Sequence, residues 1–202
     1  MQPEETGAVL EFWFADGMKR GWPSQDMSER WFLGGPELDR EIEQRFGDRV
    51  REAVAGGLTE WEHEPLTRLA LVVLLDQFTR NVFRGGKEAF AGDDRAQRLA
   101  VDALDRGLDQ SLPPVGRVFM LMPLMHAEDI ELQRRCVREF ESLVEQAEEP
   151  IAAELRGNLR FAKSHLEIIE RFGRFPYRNA ALGRASSEAE LEFIEHGPRF
   201  GQ

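Results

Sequence analysis

Apolar side chains recur at every third or fourth position along most of the chain, and this spacing constrains the fold more than any other feature. It is clearest between Pro150 and Phe172, where the stripe consists of Ile151, Leu155, Leu159, Ala162, Leu166 and Ile169. Such spacing places apolar residues on one face of an α-helix. Alternation of polar and apolar residues, which is typical of strands, never extends beyond a few positions. The sequence therefore predicts an all-α protein.

Prolines, glycines and capping residues indicate where the helices begin and end. Proline is tolerated in the first turn of a helix, and glycine is favoured just after the last turn. Ser187 followed by Glu190 predicts a capping box, and Pro123 is expected to kink or end its helix. These signals predict helices that start near Pro3, Ser28, Pro36, Pro65, Asp93, Pro113, Ala127, Pro150 and Ser187. Eight or nine helices with short connections favour antiparallel helical hairpins, in one domain that spans residues 1–202.

The overall charge and the cysteine content narrow the possible partners and the location. The net charge is −11, which argues against nucleic acid or an anionic membrane as a partner. The single cysteine, Cys136, cannot form an internal disulfide and fits a reducing compartment. The longest apolar run, Leu69 to Leu75, is far shorter than the ~18 residues that a membrane span needs, and the first residues have no signal-peptide pattern. We therefore expect a cytoplasmic protein; its oligomeric state is left open.

A basic segment stands out in this acidic chain. From Arg156 to Arg184 there are seven basic residues and only Glu167 and Glu170 as acids. Within it, the segment 171–184, the arginine-rich motif, alternates cations with aromatic residues and contains Arg171, Arg174, Arg178, Asn179 and Arg184. Guanidinium groups bind carboxylate or phosphate. The motif is therefore either an anion site or a structural clamp neutralised by acids such as Asp76, Glu128 and Asp129.

A second group of polar residues follows the apolar part of the helix that begins near Pro65. This helix is apolar around its whole circumference just upstream, which predicts a central, buried element. The polar edge consists of Asp76, Gln77, Arg80, Asn81 and Arg84. An acid four residues before a base is a common stabilising pair on helix surfaces, and this is the simpler interpretation. The other is that the edge belongs to a binding site.

Two histidines are candidates for proton transfer. His126 follows Pro123 at the junction of two predicted helices, where Asp129 could orient it or share a metal ion with it. In the alternative interpretation, Glu128 and Asp129 stabilise the positive end of the next helix. His165 lies with Asn158 on a mostly apolar face of the helix between Pro150 and Phe172.

Three runs of residues resemble one bacterial family, domain of unknown function 924. They are the segments 75–84, 122–129 and 170–184, and the similarity extends to 9–14 and 186–190, so it spans nearly the whole chain. The resemblance implies a right-handed superhelix like that of tetratricopeptide repeats, and it implies no activity. Where the family more often has a histidine, this chain has Tyr177, which makes that position a poor candidate for a metal ligand or general base.

Three functions follow from these residues as hypotheses. The first, which we favour, is a pocket that binds a small anionic molecule, with His126 or His165 as the proton-transfer residue and no resident cofactor or metal. The second is a helical scaffold that binds a peptide or protein. The third is metal-assisted hydrolysis through His126, His165 and either Glu128 or Asp129. The candidate binding residues are Asp76, Gln77, Arg80, Asn81, Arg84, His126, Glu128, Asp129, His165, Arg171, Arg174, Arg178, Asn179 and Arg184.

Overall fold

The structure, a computed structural model, describes residues 2–197, with side chains from Glu4 onward. These residues contain α-helices, 3-10 turns and two π-helical segments and no strand, which confirms the predicted all-α class. The predicted domain, 1–202, extends at both ends beyond the described residues. The α-helices are α1 Gln2–Phe14, α2 Gly17–Arg20, α3 Pro36–Val54, α4 Pro65–Val72, α5 Thr79–Val82, α6 Asp93–Asp105, α7 Pro114–Met125, α8 Ile130–Gln146, α9 Ile151–Phe172 and α10 Glu188–His196.

One long helix passes through the centre of the molecule. Residues 65–82 are helical without a break, because the π-helical segment Val73–Phe78 joins α4 to α5. A π-helix contains one more residue per hydrogen-bonded ring than an α-helix. Every residue from Arg68 to Asp76 is at most 3% exposed. The predicted central, buried helix is therefore confirmed, and it ends close to the predicted position.

Most of the predicted helix signals act as expected. Pro36 and Pro65 begin α3 and α4, and Gly173 adopts a left-handed conformation after α9, with φ of 69°. The capping box at α10 is formed: the Ser187 N–H donates to Glu190 Oε2 over 2.7 Å, and the Ser187 hydroxyl accepts from the Glu190 N–H over 3.3 Å.

The structure corrects two details of the sequence prediction. Pro123 is expected to kink or end its helix; it does not end it, because α7 continues to Met125, and the kink stays a prediction. The next helix, α8, begins at Ile130 instead of Ala127 and is capped by Asp129, whose carboxylate accepts from the backbone N–H groups of Glu131 and Leu132. Helix α6 begins at Asp93, as predicted; its capping position is Gly92, so the Asp93 carboxylate is free for other contacts.

A single large hydrophobic cluster joins the helices. It contains side chains from α1, α3, α4, α6, α7, α8 and α9, and a smaller cluster around Ile168, Ile169 and Phe175 lies under α10. Helices α8 and α9 pack against each other across the connection 147–150, as expected of a helical hairpin. Within residues 2–197, no helix combines the length and apolar character needed to cross a membrane. The right-handed superhelix implied by the family resemblance stays a prediction.

Gly92 allows α6 to begin directly against the π-helical segment. A Cβ atom at this position would lie 2.3 Å from the Leu75 carbonyl oxygen, which is too short for any stable contact. The backbone would have to move, and Asp93 would move with it. We predict that Gly92→Ala lowers the free energy of unfolding by about 1–3 kcal/mol, the usual cost of overpacking, as measured by urea denaturation.

Gly7→Ala is the matched control for this prediction. Gly7 lies on an exposed position of α1, and a Cβ atom there would meet nothing within 4 Å. Alanine is favoured over glycine inside helices by roughly 0.5–1 kcal/mol, so this variant should be as stable as the wild type or more so. Equal stability of the two variants would contradict the proposed close contact.

Candidate functional site

A carboxylate shared by two arginines lies between three separate parts of the chain. Asp93, at the start of α6, accepts hydrogen bonds through Oδ2 from Arg80 Nη2 and from Arg178 Nη1, each over 3.2 Å. Arg178 belongs to the 3-10 turn Pro176–Arg178 and is 85 residues from Asp93 in sequence. Asp93 and Arg178 are 7% and 4% exposed. This cluster therefore fastens the turn to α6 and to the central helix.

The Arg178 guanidinium is also enclosed by aromatic rings. It lies 4.8 Å from the centre of the Phe90 ring and 4.7 Å from that of Phe175, distances at which a cation is attracted to a ring face. Burial and the neighbouring Arg80 cation lower the pKa of Arg178 to about 10. The ring faces and Asp93 offset only part of the loss of water around this cation, since its Nε and Nη2 atoms are buried without a hydrogen-bond partner among the described residues.

Next to this cluster, a buried carboxylate orients His126. Asp76 is fully buried, and its Oδ1 lies 2.8 Å from His126 Nδ1. The Gln77 amide donates to Oδ2, and Arg80 Nη2 is 3.7 Å from Oδ1. Burial alone would raise the pKa of Asp76, but the His126 and Arg80 side chains hold it below its ordinary value. An ionised Asp76 accepts the Nδ1 proton and leaves Nε2 as the ring nitrogen for contact with a ligand.

His126 and Arg80 border a cavity with a volume of about 210 Å³. Its charged and polar wall residues are Arg30, Gln77, Arg80, Asn81, Arg84, His126 and Tyr177. Its apolar wall is largely aromatic and includes Trp13, Trp31, Phe32, Leu33, Phe90 and Met122. None of the residues that line it within the described part of the chain is an aspartate or glutamate.

The acids that neutralise this wall lie behind it. Asp39 accepts from Arg84 through both carboxylate oxygens, over 2.6 and 2.8 Å, and from the Asn81 amide over 2.8 Å. Burial raises the pKa of Asp39, but Arg84 and Asn81 outweigh this and lower it. Arg30 differs, since no carboxylate among residues 2–197 is within ion-pair distance of it; its Nη1 donates to the Phe12 carbonyl over 3.1 Å.

Both π-helical segments of the described chain border this cavity. Glu29–Leu33 contributes Arg30, Trp31, Phe32 and Leu33, and Val73–Phe78 contributes Gln77. π-Helical turns are rare, and they occur frequently at functional sites. The presence of both segments at this cavity is a second indication of a functional site, and it does not depend on the charge of the cavity wall.

The arginine-rich motif is mainly a clamp. Arg174 binds both oxygens of Glu190, over 2.7 and 2.9 Å, and Arg184 binds both oxygens of Glu128, over 2.5 and 2.9 Å. Arg174 lowers the pKa of Glu190 to about 2, with help from the Ser187 N–H. The Phe175 N–H also donates to Glu128. These pairs hold the segment after α9 against the α7–α8 junction and α10.

The other residues of the motif do not form a grouped anion site. Arg171 is exposed, and its guanidinium lies over the rings of Phe172 and Phe193. Asn179 is buried and bonds to Ser186 and Arg184. From the segment 171–184, the residues that line the cavity are Tyr177 and Ala181. Arg80 and Asn81 thus line the cavity, whereas Arg178 and Asn179 do not.

His165 is held in its neutral form. It is 5% exposed, its Nδ1 lies 2.8 Å from the Phe161 carbonyl, and its ring packs edge-on against Phe175. Burial is the main reason that its pKa is lowered to about 3, and the electrostatic influence of the neighbouring His126 and Arg178 side chains contributes. Because His165 does not line the cavity, His126 is the better placed of the two candidate histidines.

The residues of the metal hypothesis are dispersed. The rings of His126 and His165 are 6.2 Å apart, but Glu128 is paired with Arg184, and Asp129 caps α8. Among the described residues, no three His, Cys, Asp or Glu side chains are grouped as metal ligands. The interpretation in which Asp129 orients His126 is wrong, because Asp76 does so. Cys136 is buried, and burial raises the pKa of its thiol.

Sequence reasoning missed several residues of the site. Asp93 resembles an ordinary helix-capping acid, since it precedes Asp94 at a helix start. Arg30 belongs to a short segment in which aromatic content is the only clear sequence signal. Tyr177 is predicted to be a poor candidate for a metal ligand or general base, and that prediction does not consider a place on a cavity wall. The aromatic run 31–32 beside a cation was the available signal for Arg30. No local signal pairs Asp93 with Arg178.

The described residues define a class of protein: an all-helical protein that encloses a small arginine-lined cavity beside a buried Asp–His pair. The chain belongs to the family described as bacterial proteins of unknown function, DUF924, whose model matches residues 9–198. No protein of curated function shows significant similarity to it.

A solved structure supports the same assignment. The protein of unknown function ATU0120 from Agrobacterium tumefaciens is 33% identical in sequence, with a TM-score of 0.80. The match covers 98% of this chain and 100% of that chain. The fold therefore agrees with that of a solved protein over essentially the whole length of both chains.

Removal of the shared carboxylate tests the ion-pair cluster. Asp93→Asn leaves the Arg178 guanidinium without an ion-pair partner and leaves Arg80 with Asp76 alone, whose Oδ1 is 3.7 Å from Arg80 Nη2. Breaking a buried ion pair from one side usually costs about 3–5 kcal/mol, and we expect a loss of this size in the free energy of unfolding. The control is Asp94→Asn at the next, exposed position, which should cost no more than about 1 kcal/mol. Equal losses would show that the cluster does not stabilise the fold.

The neutral state of His165 makes stability depend on pH. Its folded pKa of about 3 lies below the value of ~6.5 in an unfolded chain. As the pH falls below ~6.5, the unfolded state binds this proton first, so the free energy of unfolding decreases, by about 2 kcal/mol between pH 6.5 and pH 4.5. We expect His165→Gln to remove this part of the slope in urea unfolding measured across that range. His63→Gln, at an exposed position, should leave the slope unchanged; an unchanged slope in His165→Gln would refute the prediction.

Proposed function

We propose that the cavity binds a small organic anion. The observation that carries this proposal is the composition of the wall, which has three arginines and a histidine and no carboxylate, in a chain whose net charge is −11. A chain so rich in acids would be expected to place some of them around an ordinary surface cavity. Their exclusion from this wall favours a ligand of negative charge.

The arginines of the wall are suited to bind such a ligand with little rearrangement. Arg80 is held by Asp76 and Asp93, and Arg84 is held by Asp39. Fixed donors lose less conformational entropy when a ligand binds. Arg30, which has no carboxylate partner within residues 2–197, supplies the positive charge that remains uncompensated.

The rest of the wall favours a ligand with an apolar or planar body. Trp13, Trp31, Phe32, Phe90 and Tyr177 surround the polar groups, and aromatic walls with a few placed polar groups are typical of small-molecule sites. His126, oriented by Asp76, offers Nε2 as a hydrogen-bonding partner and is the residue best placed to move a proton to or from the ligand.

The alternative of a peptide-binding scaffold has less support. It predicts a groove lined by exposed arginines, whereas Arg184 is tied to Glu128 through two hydrogen bonds and Arg174 is tied to Glu190 in the same way. A cavity of about 210 Å³ also suits a small molecule better than an extended chain.

Arg30 provides the cleanest test, because Arg80 and Arg178 belong to the buried cluster and their loss would disturb the fold. We expect benzoate and phenyl phosphate to raise the melting temperature of the wild type and to bind measurably in calorimetry, and neutral benzamide to do neither. Arg30→Gln should weaken binding of the anions by about 10- to 100-fold, as expected for loss of a charge-assisted hydrogen bond.

The control variant is Arg138→Gln, which removes an exposed arginine of α8 that does not line the cavity. It changes the net charge of the protein equally and should bind both anions like the wild type. The proposal fails if no anion binds, if benzamide binds as tightly as benzoate, or if the two variants weaken binding to the same extent.

A further inference from the structure

A second cavity adjoins the first. It has a volume of about 580 Å³ and lies between the segment 22–32 and the first half of α9. Trp31 and Phe32 line both cavities. These two rings are therefore a common wall, and a ligand that extended past them from the first cavity would enter the second.

Exposed apolar side chains are concentrated along this path. Of the five large hydrophobic residues that are exposed in the described part of the chain, three lie here: Phe32 at 41%, Leu33 at 73% and Phe161 at 50%. The rings of Phe32 and Phe161 stack, with centres 6.2 Å apart and planes 29° apart. Leu33 borders the first cavity, and Phe161 borders the second. Apolar surface gathered at one place commonly marks a binding site.

The two cavities differ in charge. The wall of the first contains arginines and no acids, whereas the wall of the second contains Asp26 and Glu154 and no lysine or arginine. The apolar side chains Trp22, Pro23 and Met27 contribute to the second wall. An anionic group is therefore stabilised at one end of the path and repelled at the other, and the exposed, stacked rings of Phe32 and Phe161 favour an apolar group beyond the first cavity.

We propose that the two cavities together bind one elongated amphipathic monoanion, a carboxylate with a single apolar chain. The carboxylate lies in the first cavity, near Arg30 and Arg80, and the chain passes Trp31 and covers the Phe32–Phe161 pair. This inference rests on the proposed function and adds the chemical class of the ligand to it.

The test is a series of straight-chain carboxylates of increasing length: butanoate, hexanoate, octanoate and decanoate, each below its micelle concentration. Burial of each additional CH₂ group is worth roughly a fourfold gain in affinity. We expect the dissociation constant from calorimetry to fall by about this factor per CH₂ once the chain passes Trp31, and we expect the corresponding alkanols to bind more weakly at every length.

Phe161→Ala shortens the path without touching the first cavity. Because Phe161 is half exposed, the variant should fold like the wild type, which its melting temperature without ligand will verify. It should bind butanoate normally and decanoate about tenfold or more weakly, as expected for the loss of apolar contact with two or more CH₂ groups. Leu191→Ala is the matched control, since Leu191 is 56% exposed and lies on α10, away from both cavities.

The outcomes separate this inference from the proposed function. If butanoate binds but affinity does not rise with chain length, or if Phe161→Ala weakens all four acids equally, the elongated ligand is excluded and the anion site stands. Equal effects of Phe161→Ala and Leu191→Ala on decanoate would also exclude it. If none of the four acids binds while benzoate does, the elongated ligand alone is excluded; if benzoate does not bind either, the anion site fails with it.

Discussion

The ion pairs that Asp93 makes with Arg80 and Arg178 are the constraint on which the rest of the structure depends. They join the central helix, the start of α6 and the turn Pro176–Arg178. Buried charges are costly unless they are paired, and these charges are paired only when the three segments lie together. The same cluster fixes Arg80 beside Asp76, and Asp76 fixes His126. The position of the candidate site thus follows from the need to pair these charges.

Local departures from α-helical geometry shape the cavity. Val73–Phe78 and Glu29–Leu33 are π-helical, and both place side chains on its wall. The close approach of Gly92 to the Leu75 carbonyl brings α6 against the first of these segments. A regular α-helix would rotate the residues that follow Val73 away from their present direction, because it has fewer residues per turn. The polar edge at 76–84 therefore depends on the π-helical segment for its orientation.

Acidic and basic side chains are unevenly distributed around the cavity, although the chain as a whole is acidic. Asp39, Asp76 and Asp93 lie behind the cavity wall, where they hold arginines in place, and the wall itself presents only cationic and neutral groups. In the arginine-rich motif, by contrast, the arginines that pair with acids lie away from the cavity. Glu128 binds Arg184 and Glu190 binds Arg174, each through two hydrogen bonds. The most basic segment of the sequence therefore contributes to stability and leaves the cavity to Arg30, Arg80 and Arg84.

The sequence by itself determined the helical class, the central buried helix and the capping box at Ser187, because periodicity, proline positions and caps act between residues close together in the chain. It also singled out the edge at 76–84 and His126. Only the tertiary structure decided which carboxylate pairs with which arginine, since Asp93 and Arg178 are 85 residues apart and nothing local distinguishes a capping acid from a shared countercharge. Only the tertiary structure showed that Arg30 lines the cavity and that His165 does not, because both positions depend on how separate helices pack in space.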